Sequence, residues 1–386
     1  MAQREKTSFV PAGLSALGAT IYAGLLLGAE SQTYVLCLLA AGAVLLAVLK
    51  AAKLFGRIGA SVAANQTLFG AAMAAGTVAL ALAFHADPFI LFLIATVLTY
   101  MLACLGLNIQ FGYCGVVNFA GASFFGVGCY VAALLTKNTA LPHLLVLPLA
   151  GVIAALVGLI LVVPVLKTRG HYAALVTIAF ALLFKTFLEV TDSLGGPQGL
   201  KVPAFKLLGW SFSKDIVVFG LRGNFYLNYI ALILVLTAVG FTLARRLERS
   251  WIGLNMDAVR IDETVSACFG INITRWKILA YTLGNFYCGV AGAIFAMMLG
   301  FIAPSNFTFG DSLILISIII LGGLGSSWGT MVAACIVILL PEKFQTMQEY
   351  RFLIYSALVI FILLFRPQGI LPRGVRSFGL EGGARS

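Results

Sequence analysis

Leu145–Leu166 reads LVLPLAGVIAALVGLILVVPVL, 22 residues without a charge. About 20 apolar residues, rising 1.5 Å each, cross the hydrocarbon core of a bilayer. The run does not alternate between apolar and polar, so it is a helix rather than a strand of a lipid-facing barrel. The rest of the chain has the same character. Its 386 residues are 61% hydrophobic and 10% charged, with mean hydropathy +1.03. A soluble domain is about 45–50% apolar and about 25% charged. The fold class is therefore an all-α polytopic membrane protein. Hydrophobic segments lie near 11–29, 33–49, 66–84, 89–107, 112–135, 144–166, 171–190, 225–244, 278–301, 311–325, 329–341 and 350–366. The shorter ones are half-helices, giving about 10–12 transmembrane or half-membrane helices, some broken by glycine.

The net charge is +11. Lys and Arg cluster in short loops (Lys50/Lys53/Arg57, Lys167/Arg169, Arg245–Lys277) and in the tail after Arg366. That spacing is the positive-inside bias of a membrane protein, not a nucleic-acid surface. It places both termini in the cytoplasm. The charged-then-apolar N-terminus resembles a signal peptide and is read, with so many spans behind it, as an uncleaved first helix. Residues 1–87 form an N-terminal extension of about three helices. Seven Cys without a CxxC and three scattered His suggest neither metal site, disulfide nor catalytic cluster.

GYCGVVNFAGASFFGVGCY (Gly112–Tyr130) is uncharged yet carries Gly112, Gly115, Gly121, Gly126 and Gly128 around Asn118. A second such stretch, GGLGSSWG, spans Gly322–Gly329. Paired interruptions of spanning segments point to a binding or gating site, because freed backbone groups serve a polar substrate without a buried charge. For any one glycine, close helix packing, as in the small pair Ala122/Gly126, is the reading preferred over lining. For Asn118, pore lining and an interhelical hydrogen bond stand side by side.

In the loop Arg245–Lys277, Leu254, Ala258, Ile261, Val265, Cys268 and Phe269 follow helical amphipathic spacing. The polar face holds Asn255, Asp257, Arg260, Glu263 and Thr264, with Arg260 spaced for local ion pairs to Asp257 and Glu263. Gly270 is placed for a left-handed C-cap, and a second helix starts near Asn272 or Thr274. Such a helix either lies on headgroups or docks on a soluble partner. Its mixed charge favours docking. Elsewhere, Lys185 and Glu189 read as a local pair near the end of a span. Asp311 reads as a helix N-terminal carboxylate or part of an outer gate. Gly195, Gly196, Pro197 and Gly199 read as a tight turn, with binding-protein docking as the alternative role.

RSWIGLNMDAVRIDETVSACFGIN resembles the loop of permease subunits of branched-chain amino acid ABC importers, whose pattern S-x-x-G-x-x-x-x-A-x-R-x-x-E-x-x-A-x-x-x-G forms an ATPase-coupling helix. Here it reads Ser250, Gly253, Ala258, Arg260, Glu263, Ser266 and Gly270, with Ser266 in place of Ala. Leu105–Leu135, KTRGHYAALVTIAF (Lys167–Phe180), LGGPQGL (Leu194–Leu200), Gly300–Gly329 and LFRPQGILP (Leu364–Pro372) are similar to further segments of that family, in order. Leu194 stands where the family has Thr. The resemblance covers residues 88–372, taken as a permease core, with 373–386 as a cytoplasmic tail. The extension is similar to that of the larger of two permease subunits.

The resemblance implies a non-enzymatic subunit that moves leucine, isoleucine or valine across the bacterial inner membrane. Its implied partners are a second permease subunit, read as a different chain, two ATP-binding cassette subunits and a periplasmic amino-acid-binding protein. ATP and Mg would be used by the ATPases, with no cofactor on this chain. Ser250, Gly253, Ala258, Arg260, Asp262, Glu263 and Gly270 would couple to the ATPase. Asn108, Gly112, Gly115, Asn118, Gly121, Gly126, Thr177, Gly322, Gly323 and Gly325 are translocation-pathway candidates. Gly195, Gly196, Pro197, Gly199 and Asp311 are candidates for binding-protein docking or an outer gate. Rival readings keep the importer but change its cargo to urea, short amides or other amino acids, or replace it with an ion-coupled secondary transporter. The latter lacks an acidic residue deep in a span. An intramembrane enzyme finds no catalytic cluster.

Overall fold

The computed structural model describes residues 10–29, 65–168, 171–207, 210–214, 216–218 and 221–343, with scattered positions at 33–42 and 350–373. The basic positions 4, 6, 50, 53, 57 and 169, and most of the expected segments 33–49 and 350–366, lie outside the described residues. The described helices are α1 (Val10–Leu27), α2 (Gln66–Ala83), α3 (Pro88–Asn108), α4 (Gly121–Asn138), α5 (His143–Lys167), α6 (His171–Val190), α7 (Tyr226–Arg249), α8 (Trp251–Ile261), α9 (Glu263–Cys268), α10 (Ile273–Leu299), α11 (Phe309–Gly322) and α12 (Ser327–Lys343). Six helical stretches among them are long and apolar enough to cross a membrane, and three shorter apolar helices accompany them. The expected pass at 112–135 is not one helix. Helix α3 continues into a π turn (Ile109–Tyr113), the backbone is irregular through Cys114–Ala120, and α4 then begins.

The chain forms two compact units. The first comprises Met1–Leu98, Ala204–Ala238 and Ile338–Arg351. In it α1 and α2 meet through small residues, with Gly24 facing Leu80 and Gly76 facing Thr20. Two short hairpins follow: β2 (Lys206–Leu207) with β3 (Trp210–Ser211), and β4 (Ile216–Val218) with β5 (Leu221–Gly223). Phe205, Phe212 and Tyr229 close an aromatic cluster beside the first, and the Tyr229 hydroxyl accepts the Phe205 N–H at 3.0 Å.

The second unit comprises Thr99–Pro203, Val239–Val337 and Phe352–Ser386. Its centre is α10, buried along most of its length and flanked by α4 and α5. The approach is backbone on backbone: Gly128 lies against Gly289, and Gly292 against the Phe125 carbonyl. A methyl group at any of these positions has no room, which is the use of small residues at helix crossings in a membrane. The small pair Ala122/Gly126 packs differently, since Gly126 faces the rings of Phe184 and Phe307. At one end, β1 (Leu200–Lys201) pairs antiparallel with β6 (Phe301–Ile302), Leu200 opposite Ile302.

Candidate functional site

All the features below belong to the second unit. Where α3 gives way, three amide side chains and two backbone groups interlock. Gln110 Nε2 donates to the Tyr281 carbonyl at 3.0 Å and to Asn285 Oδ1 at 2.9 Å. Asn118 Nδ2 donates to Gln110 Oε1 at 2.8 Å and to Asn285 Oδ1 at 3.2 Å, while its Oδ1 accepts the Ala120 N–H at 2.9 Å. Gln110, Asn118 and Asn285 are wholly buried. Of the two roles weighed for Asn118, the hydrogen bond between segments is the one seen. The break also frees N–H groups at the start of α4, which helix geometry leaves unpaired. Thr177 Oγ1 takes that of Phe119 at 3.1 Å, and Ser312 Oγ takes that of Ala122 at 3.1 Å.

The two glycine-rich interruptions touch. Asn108 Oδ1 accepts the Gly325 N–H at 2.9 Å, and Gly112 lies against the Gly325 backbone with no room for a side chain. Tyr113 shares a 3.0 Å hydrogen bond with Ser327. Gly121 is packed against Leu107 and Leu315. The second interruption is the link between α11 and α12. There Gly322 lies on Gly329, and Gly323, at φ 104°, faces the carbonyls of Gln368 and Leu371. Leu371 in turn donates its N–H to the Gly322 carbonyl at 3.2 Å, and Ile370 to that of Leu321 at 2.9 Å. Sequence reasoning paired these stretches but gave no sign that they meet, or that Gln110, Tyr281 and Asn285 join Asn118.

Over this junction lies the loop helix pair α8–α9. Ser250 caps α8, its Oγ accepting the Gly253 N–H at 3.3 Å. Gly253 is pressed on the Leu247 and Glu248 carbonyls. One continuous helix was expected through 254–269. It is instead broken at Asp262, which is extended and caps α9 by accepting the N–H groups of Thr264 and Val265 at 2.8 and 3.0 Å. An aspartate so placed competes with the helix for its own backbone donors. Gly270 takes the left-handed cap, at φ 77°, and Asn272 caps α10.

Both the apolar and the polar residues of the pair are divided between inside and outside: Met256 and Val259 are buried, and Glu263 and Thr264 are exposed. Asn255 and Asp257, from the polar set, are buried. Leu254, Ile261, Val265 and Phe269, from the apolar set, are exposed, Phe269 at 81%, and Trp251 joins them. The local ion pairs expected of Arg260 do not form. Its Nη1 donates instead to the Gly112 carbonyl, and its side chain covers Gly115, which is left-handed at φ 71°. Glu263 pairs with Lys277 at 2.6 Å. Asp257 receives both terminal nitrogens of Arg373, at 2.9 and 2.7 Å, and Arg373 Nε reaches Glu248 at 3.2 Å. Glu248 also pairs with Arg245 at 2.7 Å, and the guanidinium of Arg373 stacks 4.7 Å over the Tyr113 ring. Burial raises the Asp257 carboxyl above its ordinary pKa, with Arg373 pulling the other way.

Of the remaining predicted positions, the Gly195–Gly199 turn leads into the β1–β6 pairing. Gly195 and Gly199 are left-handed or nearly so, flanking a 3-10 turn at Gly196–Gln198 that contains Pro197. Gly199 leaves no room for a side chain against the Ile302 carbonyl. Asp311 forms a reciprocal cap with Thr308, its Oδ2 accepting the Thr308 N–H at 2.9 Å. Its structural role is therefore seen directly. Lys185 and Glu189 are 3.5 Å apart on α6. Ala258 is half-buried on α8.

Residues 89–365 match the family model described as branched-chain amino acid transport system / permease component. The chain belongs to this permease family. The permease is 33% identical over 301 residues to the high-affinity branched-chain amino acid transport system permease protein LivM of Escherichia coli K12, covering 74% of this chain and 70% of that protein. The LivM of Salmonella typhimurium is 32% identical over 300 residues, with the same coverage. The probable branched-chain amino acid transport permease protein LivH of Methanocaldococcus jannaschii is 26% identical over 291 residues, 71% of this chain and 87% of that protein. No solved structure matches the permease significantly. The permease is thus a multi-pass membrane transport component whose relatives are permeases rather than enzymes.

Proposed function

We propose that this chain is one permease subunit of an ATP-driven importer of leucine, isoleucine and valine in a bacterial inner membrane, with both termini in the cytoplasm. The α8–α9 pair receives an ATP-binding cassette subunit, which uses ATP and Mg. A second permease subunit completes the pathway, and a periplasmic binding protein delivers substrate at the Gly195–Gly199 and β1–β6 end. Substrate passes where the helices break, between Asn108–Gly126, Thr177 and Gly322–Gly325.

The observation that carries this reading is the exposed apolar stripe of the helix pair. Trp251, Leu254, Ile261, Val265 and Phe269 face outward, while Asn255 and Asp257 of α8 are turned inward. Exposed apolar side chains at helical spacing are what a groove on a partner takes up. Membrane binding would instead favour Lys and Arg beside the stripe. Here Asp262 and Glu263 accompany it. Proteoliposomes holding the full complex test the function. Leucine accumulation is expected only with ATP inside and binding protein outside. Uptake driven by a proton or sodium gradient alone would overturn it.

A further inference from the structure

Arg373 draws four separated pieces of chain together. It follows the segment whose backbone is hydrogen-bonded to Leu321 and Gly322, just before the second glycine-rich link. Its Nε meets Glu248 at the end of α7, and its terminal nitrogens take both oxygens of Asp257 on α8. Its flat face rests on Tyr113 of the π turn. The side chain is only 9% exposed, as are Glu248 and Asp257 to within a percent. A guanidinium engaged on its edge and face at once fixes distance and angle together, which a lysine cannot do. Arg245, Glu248, Asp257 and Arg373 are therefore one connected, largely covered set, with Arg260 bound separately to the Gly112 carbonyl.

We propose that Arg373 is a positioning residue: through Asp257 it holds α8 down on the π turn and the glycine-rich link, so that a push on α8 reaches both breaks together. This rests on the reading of α8–α9 as the ATPase dock. Without the tie, α8 would tilt on its exposed face and the push would be lost within the loop. Cys114, buried and next in sequence to the Gly115 that Arg260 covers, reports the lift of α8 independently of any ATPase.

The test uses the full complex in nanodiscs, with the exposed Cys37 and Cys268 replaced by serine, and compares Arg373→Gln, Arg373→Lys and Asp257→Asn with the parent. Maleimide labelling of Cys114 is expected to speed up about tenfold or more in Arg373→Gln and Asp257→Asn and less in Arg373→Lys, as local opening becomes easier. Substrate moved per ATP should fall in the same order while the ATPase still co-purifies. Unchanged labelling in all three variants overturns the tie, and Arg373→Lys, which keeps the charge, guards against a variant that fails to fold. Faster labelling with unchanged substrate moved per ATP supports the tie and overturns the docking reading instead.

Discussion

The guanidinium of Arg260 donates to the backbone carbonyl of Gly112, 148 residues earlier in the chain. Gly112 lies in the last turn before the helix fails, where carbonyls have no intrahelical partner. A charged donor is a strong substitute, typically contributing about 1.5–3 kcal/mol. Arg260→Ala should therefore lower the thermal stability of the purified chain and lower uptake by the complex. Glu263→Arg breaks an ion pair whose acid is half exposed, a contact that contributes about 0–1 kcal/mol. It should leave unfolding almost unchanged. Differential scanning fluorimetry of the two variants checks the contrast, and equal effects would contradict the assignment of Arg260 to the core.

The outward apolar stripe makes the opposite prediction. Ile261→Asp and Phe269→Asp remove side chains that are mostly exposed, so unfolding free energy should shift by no more than that of a typical surface change, about 0.5 kcal/mol. Co-purification of the ATPase should be lost in both. Retained ATPase with normal stability would remove α8–α9 as its dock.

Asn285 holds the buried amide network together by accepting from both Gln110 and Asn118. Asn285→Leu takes away that acceptor and leaves two buried amides short of a partner. An unsatisfied buried polar group costs about 1–3 kcal/mol, so a fall of at least that size is expected in unfolding measured by denaturant or heat. Asn118→Leu together with Asn285→Leu should cost less than the sum of the two single changes, because the partners share one network.

The pH dependence of Asp257 has a definite sign. Its folded pKa is raised by burial above the ordinary 3.8. A raised pKa means the folded state holds its proton more tightly, so this group's contribution to stability is present below its unfolded pKa and is lost as pH rises through the folded value. The melting temperature of the parent minus that of Asp257→Asn should thus fall as pH rises from the ordinary carboxylate value through the raised one. A difference that grows over that range would show the carboxylate to be held below, not above, its ordinary value.

The spans, the broken segments and the two-faced loop were legible because each is a local pattern of apolar and small residues. Gly270, Asn272 and Asp311 were legible for the same reason, being caps written in neighbouring residues. What stayed hidden was which residues the chain itself would cover. Periodicity reveals that α8 has two sides, but not which one the protein itself covers. That is decided by Arg373, 116 residues beyond Asp257, and by Gly112. Gln110 and Asn285 are likewise distant in sequence, by 175 residues, and each alone looks like an ordinary polar residue in an apolar run. Asp262 interrupts the helix through its cap, a choice that apolar spacing does not register.

Helices α4 and α10 touch through Gly128, Gly289 and Gly292, main chain against main chain. Beside those contacts the rings of Phe124 and Tyr281, and of Phe125 and Phe295, pair across the same two helices. Main chain in contact, flanked by paired rings, leaves little room for one helix to slide along the other. Motion within this unit is therefore expected at its irregular joints, Cys114–Ala120 and the link after Gly322, with the two helices turning as one stiff arm.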